Sequence, residues 1–555
     1  VLERAANFMR ENGVTFQEAL TVTRAGNLFT THTAVAAGFD NFSPSLMWQF
    51  FANYAKEELH LDFNDLLALG REDPHNLSQF FNMAYLAIHG SSAVNGVSRL
   101  HREVSRKLFG NLFKRWPNSE VPIGHVTNGV HMPSWDSVFA DKIWTHSCGK
   151  ERWRGRLESV ERDIYCLSDV ALWQFRNDSR HHMINFIRER FQGQTEDAGH
   201  SPEIVEMAKH IFNKETLTLG FARRFVPYKR PNLLLHDPER FIRILTNPQR
   251  PVQLVLAGKS PPYDESGKAL IRQWVQFIQQ HNLYKHVVFL SDYDMLLTEH
   301  LVQGVDVWIN TPRRPWEACG TSGMKVLGNG GINLSELDGW WAEAYTPEVG
   351  HEHGEDPYWD AIDANELYEL LEQKVVPEFY DRNKEGIPEN WVAKMRNSMS
   401  TLTPKFSANR AVREYTEKYY LPAANKYKKR SSKKGMLGKK IVETKLDLQN
   451  KWWKMRFVQA QIENIAGGYQ FKIMVWLNHI SPDTISVELF AEGLNGGANE
   501  IIKMEIIGLA KNGLDHECHR CIGTSRPAGH YTARIVPCYE NISVPLENNL
   551  ILWQR

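Results

Sequence analysis

Apolar residues recur at helical spacing through residues 1–125, and the period then changes. Leu2, Ala5, Ala6 and Met9 fall on one face of a helical repeat, which predicts a helix from the outset. Further helical runs pass through Leu46–Phe51, through Phe80–Leu86 and from Ser98 to Phe113. They are broken at Phe29–Thr33 and by a predicted loop over Ser91–Gly96. From residue 216 short apolar runs appear at 217–222, 252–257, 287–290 and 305–309, separated by helical patterns near 236–246, 265–281 and 295–303. Continuous apolar strands alternating with helices predict βαβ units and a parallel sheet covered on both faces. Each run ends in polar or charged residues: Arg223-Arg224, Gly258-Lys259, Ser291–Asp294 and Asn310-Thr311. Ligands of such sheets bind at the carboxyl ends of the strands.

Helical patterning continues to residue 420. The basic run Lys426–Lys434 has little apolar content and reads as a solvated linker rather than a polyanion site. Beyond 451 the pattern alternates, as in Gln470–Trp476, Ser486–Phe490 and His530–Val536, which predicts a separate antiparallel domain of sandwich type. The expected organisation is therefore 1–125, 126–422, a linker over 423–450, and 451–555.

Composition narrows the function classes. Lysine plus arginine equals aspartate plus glutamate at 65 each, which argues against nucleic acid or an anionic membrane as the main partner. No apolar run approaches the ~20 residues that span a bilayer. Six scattered cysteines form no disulfide framework and favour a reducing, cytoplasmic setting. The start at Val1 carries neither an initiator methionine nor a signal-peptide pattern, so the chain reads as cut from something longer.

Three clusters could carry chemistry. Glu317-Ala-Cys-Gly-Thr-Ser-Gly-Met-Lys325 is a glycine-rich turn opening a helix, where Gly320, Thr321, Ser322 and Gly323 offer donors to an anion and Lys325 lies a turn inside. Such a lysine suits a facing anion or a carbonyl cofactor bearing its own phosphate. Arg223, Arg224, Lys229 and Arg230 follow a buried strand and suit phosphate or a sugar phosphate. His32 stands alone in a helical region and by itself reads more readily as a core histidine than a catalyst. No metal site is expected: Cys518-His-Arg-Cys521 lacks a second ligand pair, and His351-Glu-His353 lacks helical zinc spacing and reads as loop. Gly328–Gly331 reads as a connection before a strand.

Together these segments resemble the α-glucan phosphorylases, the glycogen and maltodextrin phosphorylase family of retaining glycosyltransferases, in its shorter branch. The resemblance rests on Phe29–Thr33, Ala93–Ser98, Gly124–His131, Arg224 to Arg230, Glu317–Lys325 and Leu337–Trp341, in family order from residue 1 to about 420. It implies a two-domain GT-B-type α/β fold with Rossmann-like parallel sheets, the first domain incomplete, plus the C-terminal antiparallel β-domain. It implies transfer of glucose from the end of an α-1,4-glucan or maltodextrin to inorganic phosphate, with pyridoxal 5′-phosphate bound. By the same resemblance, Lys325 carries the cofactor as a Schiff base. Thr321, Ser322 and Gly320 bind the cofactor phosphate, with Arg223 and Tyr293 beside it. Arg224 and Lys229 hold the substrate phosphate. Asn95, Glu317, Cys319 and Gly320 hold glucose hydroxyls, and His32 offers its main-chain carbonyl. Cys319 stands where many members have serine. The family's amino-terminal portion, with its glycine-rich loop and an Asn-(Glu/Asp)-x-His segment, has no counterpart here, and most of the family's usual homodimer contacts are expected to be absent with it. Two other readings stay open: a nucleotide-sugar-dependent synthase, which would lack the cofactor lysine, and an inactive glucan-binding fragment.

Overall fold

The computed structural model describes every residue except 155–156, 158, 349, 354–359, 495–496 and 511–512. Strands β1 (Leu28–Thr30), β2 (Ala93–Gly96) and β3 (Ile123–His125) pair in chain order as a small parallel sheet. Helix α1 (Leu2–Asn12) stops at Gly13, whose left-handed φ of 66° lets its N–H reach the Met9 carbonyl at 2.8 Å. Helix α2 (Phe16–Thr23) starts from a reciprocal cap between Thr15 and Glu18. Ala5, Ala6 and Met9 pack with Ala19 and Leu20 and with Ala55 of α3 (Pro44–Glu57). The helical stripe read at the start of the chain is thus a buried seam. Helix α4 (Arg99–Phe109) follows β2 directly, capped by Ser98.

The larger sheet positions the site. Its strands are β4 (Leu217–Ala222), β5 (Val252–Ala257), β6 (Val287–Leu290), β7 (Val307–Asn310), β8 (Ile332–Glu336) and β9 (Gly350–His353). They lie in the order β9-β8-β7-β4-β5-β6, all parallel. Both faces are covered: Leu254 and Leu256 enter one apolar cluster while Val255 and Ala257 enter another. The covering helices include α5 (Asp169–Asp197) and α6 (Glu265–Gln280). The chain runs outward from β4 through β5 and β6, then returns to place β7 on the other side of β4. That reversal opens a crevice at the carboxyl ends of β4 and β7, where ligands of doubly wound sheets bind. Helix α7 (Ser322–Leu327) and helix α8 (Leu421–Lys451) complete the α/β part.

Beyond α8, two antiparallel sheets face each other. Strands β10 (Arg456–Ile465), β11 (Gly468–Trp476), β12 (Ile485–Ala491), β13 (Glu500–Lys503), β14 (Glu505–Leu509), β15 (His516–Gly523), β16 (Thr532–Pro537) and β17 (Leu552–Trp553) form the orders β10-β11-β15-β14 and β13-β12-β16-β17. Phe471, Ile473 and Val475 of one sheet meet Val487, Leu489, Ala533 and Ile535 of the other in one core, as the alternation predicts.

Five local expectations are corrected. The loop read at Ser91–Gly96 contains β2, and the break at Phe29–Thr33 contains β1; both strands are too short for a period to register. The helix expected from Phe80 begins at Met83, capped by Asn82, while Phe81-Asn82 pairs antiparallel with Asn41-Phe42. The basic run is not a solvated linker. It belongs to α8, which packs on α2 and carries the fully buried Arg430. Its helical path breaks only at Ser432–Gly435. Residues 350–353 are strand rather than loop, because β8 offers a parallel edge to them. Among the described residues no helix is long and apolar enough to cross a membrane.

Candidate functional site

The crevice between β4 and β7 is lined by two of the three predicted clusters, with the third, His32, at its rim. Arg223 and Lys229 follow β4, and the stretch Glu317–Ser322 follows β7. Tyr293, Val97, Asn128 and His32 complete a cleft of about 350 Å³, within the usual range for small-molecule sites. Glu317 Oε2 accepts from Arg223 Nη2 at 2.7 Å and from Lys229 Nζ at 2.8 Å. One carboxylate therefore serves two cations. Burial works to raise the Glu317 pKa, but Arg223 and Lys229 outweigh it and hold the carboxyl below its ordinary value. Burial and the neighbouring Arg223 push Lys229 down to about 8, against the pull of Glu317. Arg223 is largely buried, and its Nε and Nη1 have no hydrogen-bond partner. Buried guanidinium donors left unpaired are costly, so this arrangement suits an incoming anion.

The wall built by residues 317–322 is braced from beneath. Asp338 accepts from the Glu317 N–H at 2.9 Å and from the Gly339 N–H at 2.7 Å, and Trp340 N–H donates to the Cys319 carbonyl at 3.1 Å. Burial raises the Asp338 carboxyl to about 7, although both backbone donors oppose this. Gly320 sits at φ 78°, which turns the chain into α7. Gly323 lets α7 approach β8: a Cβ there would lie 2.4 Å from Asn333 Oδ1. Ser322 Oγ accepts from Trp308 Nε1 at 3.2 Å.

Lys325 does not line the cleft itself. It lies one turn beyond Thr321 and Ser322 on the same side of α7, half-buried, with Nζ 3.6 Å from the centre of the Trp135 ring. Burial lowers its pKa, and no carboxylate contributes to the shift. A lysine held toward its neutral form is prepared to react with a carbonyl.

The remaining predicted residues divide. His32 is exposed on the opposite rim of the cleft, and Cys319, Gly320, Thr321, Ser322 and Tyr293 all line it. Burial drives the Cys319 thiol pKa strongly upward, so it acts as packing and not as a nucleophile. Arg224 is exposed and is not part of the lining, although it is near enough to contribute to lowering the Lys229 pKa. Asn95 is fully buried and does not reach the cleft. Its amide accepts from Thr30 Oγ1 at 2.8 Å and donates to the Gly96 carbonyl and the Tyr415 hydroxyl, each at 2.9 Å. These three bonds tie Asn95 to β1, to its own strand and to Tyr415. Arg230 is also internal, paired with Glu336 and Asp363. Cys518 is buried and Cys521 exposed on β15, and no metal-binding cluster occurs among the described residues. The bracing roles of Asp338 and Gly339 have no signal in residue type alone.

Two parallel α/β layers with a cation-lined cleft at a topological switch point define the doubly wound glycosyltransferase-like class. A family model described as carbohydrate phosphorylase matches residues 1–354. The chain is 34% identical over 573 residues to a glycogen phosphorylase of Mycobacterium tuberculosis, covering 99% of this chain and 66% of that protein. It is 34% identical over 571 residues to a maltodextrin phosphorylase of Thermococcus litoralis, with the same two coverages of 99% and 66%. A glycogen phosphorylase of Aquifex aeolicus is 35% identical over 74% of this chain and 59% of its own length. The chain belongs to the carbohydrate phosphorylase family, whose fold is of GT-B type. It spans just under two thirds of the length of the relatives it matches.

Proposed function

We propose that this chain carries the catalytic cleft of an α-1,4-glucan phosphorylase, moving glucose from the end of an α-1,4-glucan or maltodextrin to inorganic phosphate with retention and releasing α-D-glucose 1-phosphate. The observation that carries this reading is the cleft's charge pattern. Among the described residues lining it, Glu317 is the one carboxylate, and it faces Arg223 and Lys229. Glycoside hydrolases ordinarily need two carboxyl groups across the scissile bond. A cleft with surplus cations and a single carboxylate suits phosphate as the partner of the sugar. Glucosyl transfer builds positive charge on the sugar ring, and an anion held against it by fixed cations lowers that barrier. The names of two relatives that match almost the whole chain, a glycogen phosphorylase and a maltodextrin phosphorylase, support the same glucan substrates.

In this reading Lys229 holds the substrate phosphate, and Arg224 turns inward from its exposed position to join it. Glu317 and the main chain at Cys319 and Gly320 hold sugar hydroxyls, and the His32 carbonyl faces the reacting sugar. Pyridoxal 5′-phosphate fits the residues present. Lys325 has the burial-weakened amine that would anchor it, and the unpartnered Arg223 donors with Thr321, Ser322 and Tyr293 would hold its phosphate. When bound, the cofactor supplies a phosphate able to exchange a proton beside the substrate phosphate. A cytoplasmic setting belongs to the same proposal, as does a homodimer, readable by light scattering, in a protein that also carries the family's amino-terminal portion.

The test is glucose 1-phosphate formation by this chain from maltodextrin and inorganic phosphate, with the near-ultraviolet and visible spectrum recorded in parallel. Product that depends on phosphate, and a cofactor band lost together with activity in Lys325→Ala, is the expected result. Free glucose as product, or a chain that binds glucan without turnover, would overturn the reading.

A further inference from the structure

The first turn of α4 touches both walls of the cleft. Ser98 is fully buried, and its hydroxyl accepts from the His101 N–H at 3.1 Å as a helix cap. The same hydroxyl donates to the Ala318 carbonyl at 2.7 Å, inside the Glu317–Ser322 wall and 220 residues away in sequence. His101 is likewise buried. Its Nδ1 accepts from the Val97 N–H at 3.1 Å, which leaves the proton on Nε2. Nε2 then donates to the Thr33 carbonyl at 2.8 Å, next to His32 on the opposite rim. Val97 itself lines the cleft, and its carbonyl accepts from the N–H of another lining residue, Asn128, at 3.1 Å.

We propose that Ser98 and His101 are positioning residues that set the separation of the two cleft walls, Ser98 through the Ala318 carbonyl and His101 through the Thr33 carbonyl. The proposal rests on the phosphorylase reading only for what passes between those walls. Neither side chain touches the cleft contents. Each holds a main-chain segment whose neighbours do: His32 on one side, Glu317, Cys319 and Gly320 on the other. Because both bonds spring from one helical turn, a shift of α4 moves both walls together, and loss of one bond frees one wall alone. An ordinary cap would be satisfied by the His101 N–H and would need no partner in a second layer. The Ser98 hydroxyl uses its remaining donor for that second layer, and the uncharged tautomer of His101 is fixed by Val97 so that its donor faces Thr33.

The experiment is amide hydrogen exchange on the full chain with Ser98→Ala, Ser98→Thr and His101→Ala, alongside steady-state phosphorolysis. Loss of one such buried bond corresponds to about a tenfold change in local opening. Ser98→Ala is expected to speed exchange by about that factor over 317–322 while leaving 31–33 unchanged, and Ser98→Thr is expected to restore it. His101→Ala is expected to give the reverse pattern. For Ser98→Ala, KM for maltodextrin is expected to rise more than kcat falls, and Ser98→Thr is expected to recover both. Uniform acceleration throughout the chain, or a lowered thermal midpoint with unchanged exchange at 317–322, would overturn the proposal. Should His101→Ala fail to fold, the Ser98 pair decides the matter. If the unsubstituted chain makes no glucose 1-phosphate, the exchange pattern still tests the positioning, and the failure falls on the phosphorylase reading.

Discussion

Gly339 shows how much the site owes to a residue with no side chain. Its φ is 53°, and a Cβ there would lie 2.4 Å from the Cys319 carbonyl oxygen, a backbone atom that cannot swing aside. Gly339→Ala therefore combines left-handed strain with a clash against the cleft wall, and a loss of about 1–3 kcal/mol is expected in denaturant unfolding. A variant as stable as the parent would show that the 338–340 turn does not brace the wall. The chemistry-bearing residues were legible at this scale because their types are rare in such places: a lysine just inside a glycine-rich turn, and cations directly after a buried strand. Their orientation was not. Asn95 and Arg224 have the right types in the right segments, yet one is spent on internal hydrogen bonds and the other faces solvent.

At the scale of elements, α8 is the instructive case. Its basic composition suggested a solvated linker, but the helix turns Arg430 inward against α2 and the chain's last segment. Arg430 donates to the Thr21 carbonyl at 2.7 Å, to both oxygens of Glu547 at 2.7 and 2.9 Å, and to Asn541. Arg430→Met removes the bidentate partner of a buried carboxylate, and a loss of about 3–5 kcal/mol is expected. Urea unfolding monitored by circular dichroism measures it; a loss no larger than that of an exposed lysine on α8, such as Lys440→Met, would contradict the assignment. Composition misleads here because charged residues on one stripe of a helix conceal a single buried one. Strands β4 to β7, by contrast, were legible almost residue for residue, since each is a continuous apolar run between polar ends. Strands β1 and β2 were not, because segments this short acquire strand character only from their neighbours.

At the scale of the molecule, Glu547 joins three parts of the chain. Arg24 from the first layer lies 3.6 Å away, Lys426 of α8 lies 3.2 Å away, and Arg430 completes the cluster. Burial alone would raise the Glu547 pKa, but Arg24 and Arg430, with Lys426, drive it down to about 2. The folded pKa lies below the unfolded one, so the stabilisation is fully present above the ordinary glutamate range. It is lost as pH falls from about 4.5 toward 2. Glu547→Gln is expected to lower stability at neutral pH and to flatten the acid limb of a stability-against-pH profile. An unchanged acid limb would refute this role.

Local residue pattern was sufficient for the larger parallel sheet and the antiparallel layers, for the strand-end cations and for the segment holding Lys325, because periodicity and turn chemistry act over a few residues at a time. Which cations share Glu317, which carbonyls α4 holds, and which arginine is buried in α8 were decided by tertiary structure alone. Arg223 and Glu317 are 94 positions apart, and Ser98 and Ala318 are 220 apart. Side chains so distant meet only after the sheet order has reversed between β4 and β7, and no local preference encodes that meeting.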